Sequence, residues 1–183
     1  MIFWNKPLPE LNGKDVIKRK SILKGLDIKV YQNLIKSYET AAKDSPVMKE
    51  YKILEKEGEM FVGRSMIRSY FRMKMPNMCE RESFIRTETV VDSESKFWFL
   101  QNTYAPPDTP VKEGCVRMSL NKIVCVEQID GDVHITDYST QDYGGYFPPR
   151  LMNMMLSTQM KASIPQFQKL IQNAKENVEK EKQ

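Results

Sequence analysis

The side chains in this chain that could do chemistry are few and scattered. The one histidine, His134, follows an Asp-Gly turn on a stretch that reads as a strand. A solvated strand-end imidazole is the simpler reading of it. A zinc site needs about four clustered His, Cys or carboxylate ligands, and nothing at that spacing surrounds His134. Cys-His catalysis needs a thiolate beside the imidazole and a third group to orient it. Cys125 is the one cysteine a hairpin could bring near His134, and chance accounts for that. Cys79, Cys115 and Cys125 are odd in number and lack CxxC spacing, so they read as free, inert thiols of a reducing compartment. Glu80, Glu82 and Glu88 read as surface charges. The glycines near the C-terminus have no P-loop lysine. Neither a metal nor a cofactor is implied.

Bulk composition narrows the class further. The chain has 183 residues, 40% hydrophobic and 28% charged, enough for one domain with a real core. Lys+Arg of 28 against Asp+Glu of 24 leaves +4, spread along the chain, which argues against a dedicated nucleic-acid binder. The first ten residues, MIFWNKPLPE, are interrupted by Pro7 and Pro9 and do not read as a signal peptide. No run approaches the ~20 apolar residues of a membrane span. These features suggest a cytoplasmic single domain over residues 1–183, with its core at 15–176 and a frayed tail at 177–183.

The elements that must position these groups follow from periodicity. Two short strands flank a turn in KPLPELNGKD. From Asp27, a candidate cap, Ile28, Tyr31, Leu34, Ile35, Tyr38 and Ala42 recur at helical steps. A strand follows through 47–58. Residues 60–76 then alternate: Ile67, Ser69, Phe71 and Met73 fall on one face, and Arg64, Arg68 and Arg72 on the other. That basic face reads as solvated, with lipid phosphate as a possible alternative partner. ESFIRTETVVD and KFWFLQNTYA form a further strand pair, 105–114 is an irregular loop, and DGD joins a last hairpin. Beyond Gly144, Gly145, Pro148 and Pro149, an apolar stripe beginning at Leu151 predicts a helix of about 30 residues kinked at Pro165.

This order predicts an α+β fold, a curved antiparallel sheet of about seven to nine strands with helices on one face. The positions read as inward mix large apolar groups with Ser65, Ser69, Thr87, Asn102 and Gln141. Small polar residues leave room and need partners, so either a satisfied core or a ligand cavity is open at this level.

Four segments, in order, resemble the START (StAR-related lipid-transfer) domain family. DYGGYFPPRLMNMM is similar to its Asp-Pro-Gly-Gly-x-Ile-Pro-x-Trp-Leu-Ile-Asn signature through Asp142, Gly144, Gly145, Pro148 or Pro149, Leu151, Met152 and Asn153. MPNMCERESFIR resembles its Met-Pro…Arg-Asp-Phe-Val segment, with Arg81 and Glu82 at the Arg-Asp position. PPDTPVKEGCVR resembles its Pro-x-x-x-Gly-x-x-Arg loop, ending in Gly114 and Arg117. SIPQFQKLIQNAK resembles the later terminal helix. The likeness spans 15–176. Departures are Tyr143 for a proline, Arg150 for a tryptophan, Glu82 for an aspartate, and the missing N-terminal helix. The Trp-Asp pair that often follows the first internal helix in the family is also missing. The buried Arg–acid pair that some members place under a lipid head group has no match, although Arg86 and Thr87 fall where its arginine would be.

The resemblance implies a helix-grip (START/Bet v1-like) fold, with the sheet wrapped around the C-terminal helix and an internal hydrophobic cavity. It further implies non-catalytic binding, and transfer between membranes, of a single phospholipid, sterol or related lipid. Ile67, Ser69, Phe71, Met73, Trp98 and Leu100 would line the sheet side, and Met152, Met155 and Gln159 the helix side. Arg86, Thr87, Asn102, Arg117, Gln141 and Tyr143 are the candidate polar contacts. The gate would comprise Pro106, Pro110 and Gly114 with Gly144, Gly145 and Pro148. The expected partners are the lipid and, transiently, a membrane surface, with the chain acting as a monomer. A cyclase- or hydratase-like enzyme on the same fold, or an interaction module with a filled core, are the alternatives.

Overall fold

The computed structural model describes residues 2–7, 15–43, 47–74 and 78–145, together with Ile171, Gln172 and Glu176. Strands β1 (Ile2–Pro7) and β2 (Asp15–Leu23) lead into helix α1 (Ile28–Lys43). Strands β3 (Met48–Glu57), β4 (Arg64–Met73), β5 (Glu80–Ser93), β6 (Lys96–Thr103), β7 (Cys115–Arg117), β8 (Ser119–Ile129) and β9 (Asp132–Asp142) follow. They form one curved sheet in the order β1-β2-β9-β8-β6-β5-β4-β3, antiparallel throughout, with the short β7 added in parallel beside the start of β5. The chain is therefore an α+β fold dominated by its sheet. The expected C-terminal helix lies outside the described residues except for Ile171, Gln172 and Glu176, which are helical. β1 pairs along the whole of its length with β2 and carries the sheet upstream of residue 15.

Local chemistry explains the main joins. Asp130 and Gly131 both take positive φ, 50° and 83°, the backbone of a type I′ turn, and this sets the eleven-pair register of the β8–β9 hairpin. α1 begins where Asp27 Oδ1 accepts the Lys29 amide at 2.7 Å, which satisfies one of the otherwise orphaned donors of the first turn. The tip of the β8–β9 hairpin holds that start in place: the Ile28 amide donates to Gln128 Oε1 at 2.6 Å, and Gln128 Nε2 donates to the Leu26 carbonyl at 3.2 Å.

α1 carries the chain from β2, near one edge of the sheet, to β3 at the other, and buries Ile28, Val30 and Leu34 on the way. These pack with Leu26, Phe97, Phe99, Val124, Val126 and Val133, and Ile171 lies against the same cluster. Burying side chains of this size contributes roughly 1.5–3 kcal/mol each. Phe61 adopts φ 68°, a conformation that costs an L-residue roughly 1–2 kcal/mol. Its ring meets Phe97 edge-on at 5.0 Å and Phe99 at 5.9 Å, and this packing offsets the strain. The core thus sits under α1 at one end of the sheet. The rest of the concave face carries the site.

Candidate functional site

In a strand, alternate side chains point to opposite faces, and the pairing registers extend that parity across the sheet. The concave face takes odd positions on β2, β4, β5, β6 and β9, and even positions on β8. Together with Tyr31 and Ile35 of α1 and Met60 before β4, it lines a cavity of about 640 Å³, within the range of pockets that enclose a drug-sized molecule. Its two halves differ in chemistry. On β3, β4 and β5 the lining is Met48, Tyr51, Ile67, Phe71, Met73 and Ile85, interrupted by the buried Ser69. Midway, Gln101 Nε2 donates to Thr87 Oγ1 at 3.2 Å. On β2, β8 and β9 the apolar Leu120, Val124 and Ile135 are joined by Arg19, Ser21, Lys122, Asp137, Ser139 and Gln141.

The charged groups of that half centre on Asp137, which is only 5% exposed. Its Oδ2 accepts from Arg19 Nη2 at 2.9 Å, and Lys122 Nζ lies 3.2 Å from the same oxygen. Tyr31 faces the group from α1. Burial, aided by the Asp137 carboxylate, pushes its phenol up to about 12.

Of the side chains expected at the site, Ile67, Ser69, Phe71, Met73, Thr87 and Gln141 are brought together in this lining. Arg86, Trp98, Leu100 and Asn102 are not, because each is one residue out of phase and points to the opposite face. There Arg86 Nη2 pairs with Glu88 Oε1 at 2.7 Å, and the Lys96 ammonium lies 5.6 Å from the centre of the Trp98 ring. FWFL has apolar groups at both parities, and Phe97 and Phe99 take the inner one. Met152, Met155, Gln159 and Pro148 lie outside the described residues. Arg19, Lys122 and Asp137 were not legible as site residues because charged groups on strands read as solvated. The available signal was phase: Lys122 shares its face with Leu120 and Val124, and Asp137 with Val133 and Ile135.

Arg117 and Tyr143 belong to a separate structure that does not line the cavity. Glu82, 2% exposed, accepts from Arg117 through Nε at 3.2 Å and Nη2 at 2.6 Å, from the Tyr70 hydroxyl at 3.1 Å and from the Lys112 amide at 3.4 Å. Arg117 also donates to the carbonyls of Thr109 and Pro110, which ties the 105–114 loop to β5. The neighbouring Arg81, also 2% exposed, donates to the carbonyls of Cys79 and Tyr143. Gly144 follows at φ 68°; a Cβ there would lie 2.3 Å from the Arg117 carbonyl oxygen. The Arg81–Glu82, Arg117 and Gly144 motifs thus meet in one staple that joins β5, β7, the loop and the exit from β9. Pro106, Pro110, Gly114, Gly144 and Gly145 sit on or beside it.

The outer face of β4 carries a ladder of ion pairs. Arg64 pairs with Glu88, Arg68 with Glu55, and Arg72 with both Glu50 and Glu80. Each arginine of this stripe has a carboxylate partner, so the stripe is not a bare cationic strip. Hydrogen bonds from Lys52 and Arg64 hold Glu50 and Glu88, respectively, below the usual carboxylate range. Elsewhere on the outer faces, burial pushes the Cys125 thiol up from its ordinary value, and His134 pairs in register with Glu127 and Ile22, not with Cys125. Among the described residues no group of three His, Cys, Asp or Glu side chains is placed to hold a metal, and no helix is long and apolar enough to cross a membrane.

A sheet of this order, with α1 over one end and a cavity on its concave side, defines a cavity-containing α+β fold. Comparison with solved structures makes the class specific. Human STARD10 matches with a TM-score of 0.63 at 15% identity, over 94% of this chain and 67% of that one. Human StAR-related lipid transfer protein 5 matches with a TM-score of 0.63 at 14% identity, over 96% of this chain and 81% of that one. A STAR-related lipid transfer protein from Xanthomonas axonopodis matches with a TM-score of 0.59 at 13% identity, over 78% and 77%. The chain folds as a START-like domain. No protein-family model matches it, and no curated protein sequence does.

Proposed function

We propose that this chain binds one amphiphilic lipid in the cavity and transfers it between membranes without chemical change. The observation that carries this reading is a cavity of about 640 Å³ whose lining is largely apolar and whose charged groups among the described residues, Arg19, Lys122 and Asp137, all lie on β2, β8 and β9. Each methylene moved from water onto the apolar lining is worth roughly 0.8 kcal/mol, so one chain supplies ample affinity. The polar groups confer selectivity. The solved neighbours named for lipid transfer share the fold, which supports the same reading. In this proposal the protein is cytoplasmic and monomeric and touches membranes transiently. The 105–114 loop, with Pro106, Pro110 and Gly114, acts with Gly144, Gly145, Pro148 and the C-terminal segment as the gate. Met152, Met155 and Gln159 complete the lining.

Native mass spectrometry of the purified chain tests this, together with uptake of a fluorescent acyl probe. One bound lipid or stoichiometric uptake is expected. Ile67→Trp, which fills the β3–β5 side of the cavity, should abolish uptake while a cooperative thermal transition remains. A lipid-free chain that takes up no probe would refute the proposal.

A further inference from the structure

The pairing registers set four polar side chains side by side across the cavity wall. Thr87 of β5 pairs with Gln101 of β6, Gln101 with Lys122 of β8, and Lys122 with Ser139 of β9. All four line the cavity. They form one belt that crosses four strands at right angles, with neighbouring strands about 4.8 Å apart. Apolar side chains flank the belt in both directions along the strands, Ile85 and Leu120 on one side and Phe99 and Val124 on the other.

The belt has hydrogen-bonding capacity to spare. Gln101 Nε2 is turned to Thr87 Oγ1, which leaves Gln101 Oε1 as an acceptor with no donor among the described residues. Ser139 is 8% exposed, and its hydroxyl has no partner among them either. Polar groups buried to this degree are rarely left so. The Lys122 ammonium has three donors, and the one ion pair found for it is with Asp137. That carboxylate already serves as its counter-charge, so a neutral acceptor suffices for the remaining donors. The belt therefore sets a free acceptor on β6 next to free donors on β8 and β9.

We propose that this belt holds a secondary amide in the middle of a lipid, with hydrocarbon on both sides of it. A chain that lies along the strands crosses the belt at a right angle. A trans amide in such a chain projects its carbonyl and its N–H in opposite directions, sideways to the chain, as the backbone of a strand does. The carbonyl accepts from the Lys122 ammonium and the Ser139 hydroxyl, and the N–H donates to Gln101 Oε1. One arm runs over Ile85 and Leu120, the other over Phe99 and Val124. An ester at the same place has no N–H and leaves Gln101 Oε1 unpaired. This inference rests on the lipid-cavity reading and names the group that the polar lining selects.

The test is displacement of the bound acyl probe by N-hexyloctanamide, hexyl octanoate and tetradecanamide, which share one chain length. The central amide should bind about tenfold or more tighter than the ester, which leaves a buried acceptor unpaired. The terminal amide should also fall about tenfold behind, because its polar group cannot lie on the belt with hydrocarbon on both sides. Gln101→Leu should bring amide and ester to within about twofold of each other, and Lys122→Met should weaken both. Equal binding of central amide and ester by the native chain would overturn the inference and leave the lipid reading intact. So would a preference that survives Gln101→Leu, or a terminal amide that binds as well as the central one. Failure of every chain to bind, the acyl probe included, would instead remove the lipid reading itself.

Discussion

Tyr31 shows how one side chain couples the core to the cavity. Its ring stacks 6.4 Å from Phe97, and its phenol faces Asp137 with a folded value near 12. The folded state therefore favours the protonated phenol. That stabilisation is complete below the ordinary tyrosine value near ~10 and is lost as pH climbs from there toward 12. A two-unit displacement corresponds to about 2–3 kcal/mol. Thermal melts between pH 9 and 12 should fall steeply for the native chain and less steeply for Tyr31→Phe; parallel curves would contradict the assignment. At Gly144 the limit is steric. A methyl group there combines a left-handed backbone with contact at 2.3 Å to the Arg117 carbonyl oxygen and 2.6 Å to a Val116 methyl. Gly144→Ala should cost roughly 2 kcal/mol or more in urea unfolding. Gly145, at φ 62° but with its nearest neighbour 3.8 Å away, should cost roughly 1–2 kcal/mol on conversion to Ala.

Among elements, the staple around Glu82 has the largest structural consequence. A buried carboxylate with an arginine, a tyrosine hydroxyl and a backbone amide as donors is satisfied only as a set. Arg117→Ala leaves the buried Glu82 carboxylate without its cationic partner, with only the Tyr70 hydroxyl and the Lys112 amide as donors, and removes the two bonds that hold the Thr109 and Pro110 carbonyls. Loss of one partner of a buried pair costs about 3–5 kcal/mol. Hydrogen exchange should show 105–117 losing protection before β8 and β9 do, alongside the lower melting temperature. Simultaneous loss everywhere would mean that the loop is not held by this contact. Arg117, expected as a polar lipid contact, thus holds the loop that the proposed gate must move.

At the scale of the whole molecule, one rule connects these observations. Because strand side chains alternate, and because the pairings of β2, β4, β8 and β9 with their neighbours away from β3 run without a register shift, one choice of phase decides which strand residues there reach the cavity. On β3 the shifts between Met48 and Glu50 and between Ile53 and Glu55 let Met48 and Tyr51, of opposite parity, both line it. On β4 that phase was legible, since Ile67, Ser69, Phe71 and Met73 alternate with arginines. On β6 and β8 it was not: Trp98, Leu100 and Ile123 are apolar on the outer face, and Lys122 is charged on the inner one. Ile123, 47% exposed, looks like core in a list of residues, and Lys122 looks like surface.

Local chemistry was therefore enough to indicate the order of α1 and the long strands, the Asp27 cap, the Asp130–Gly131 turn, the alternation of β4 and the resemblance to START domains, because each depends on residues close together in the chain. The separate β7, expected as one strand with β8, was not legible. The Arg19–Asp137–Lys122 group joins residues more than a hundred positions apart, and the Arg117–Glu82 staple spans thirty-five. Only the tertiary pairing of β2 with β9, and of β5 with β7, could bring them together. Burial in that closed sheet turns charges that would be solvated on an isolated strand into polar groups of a cavity lining.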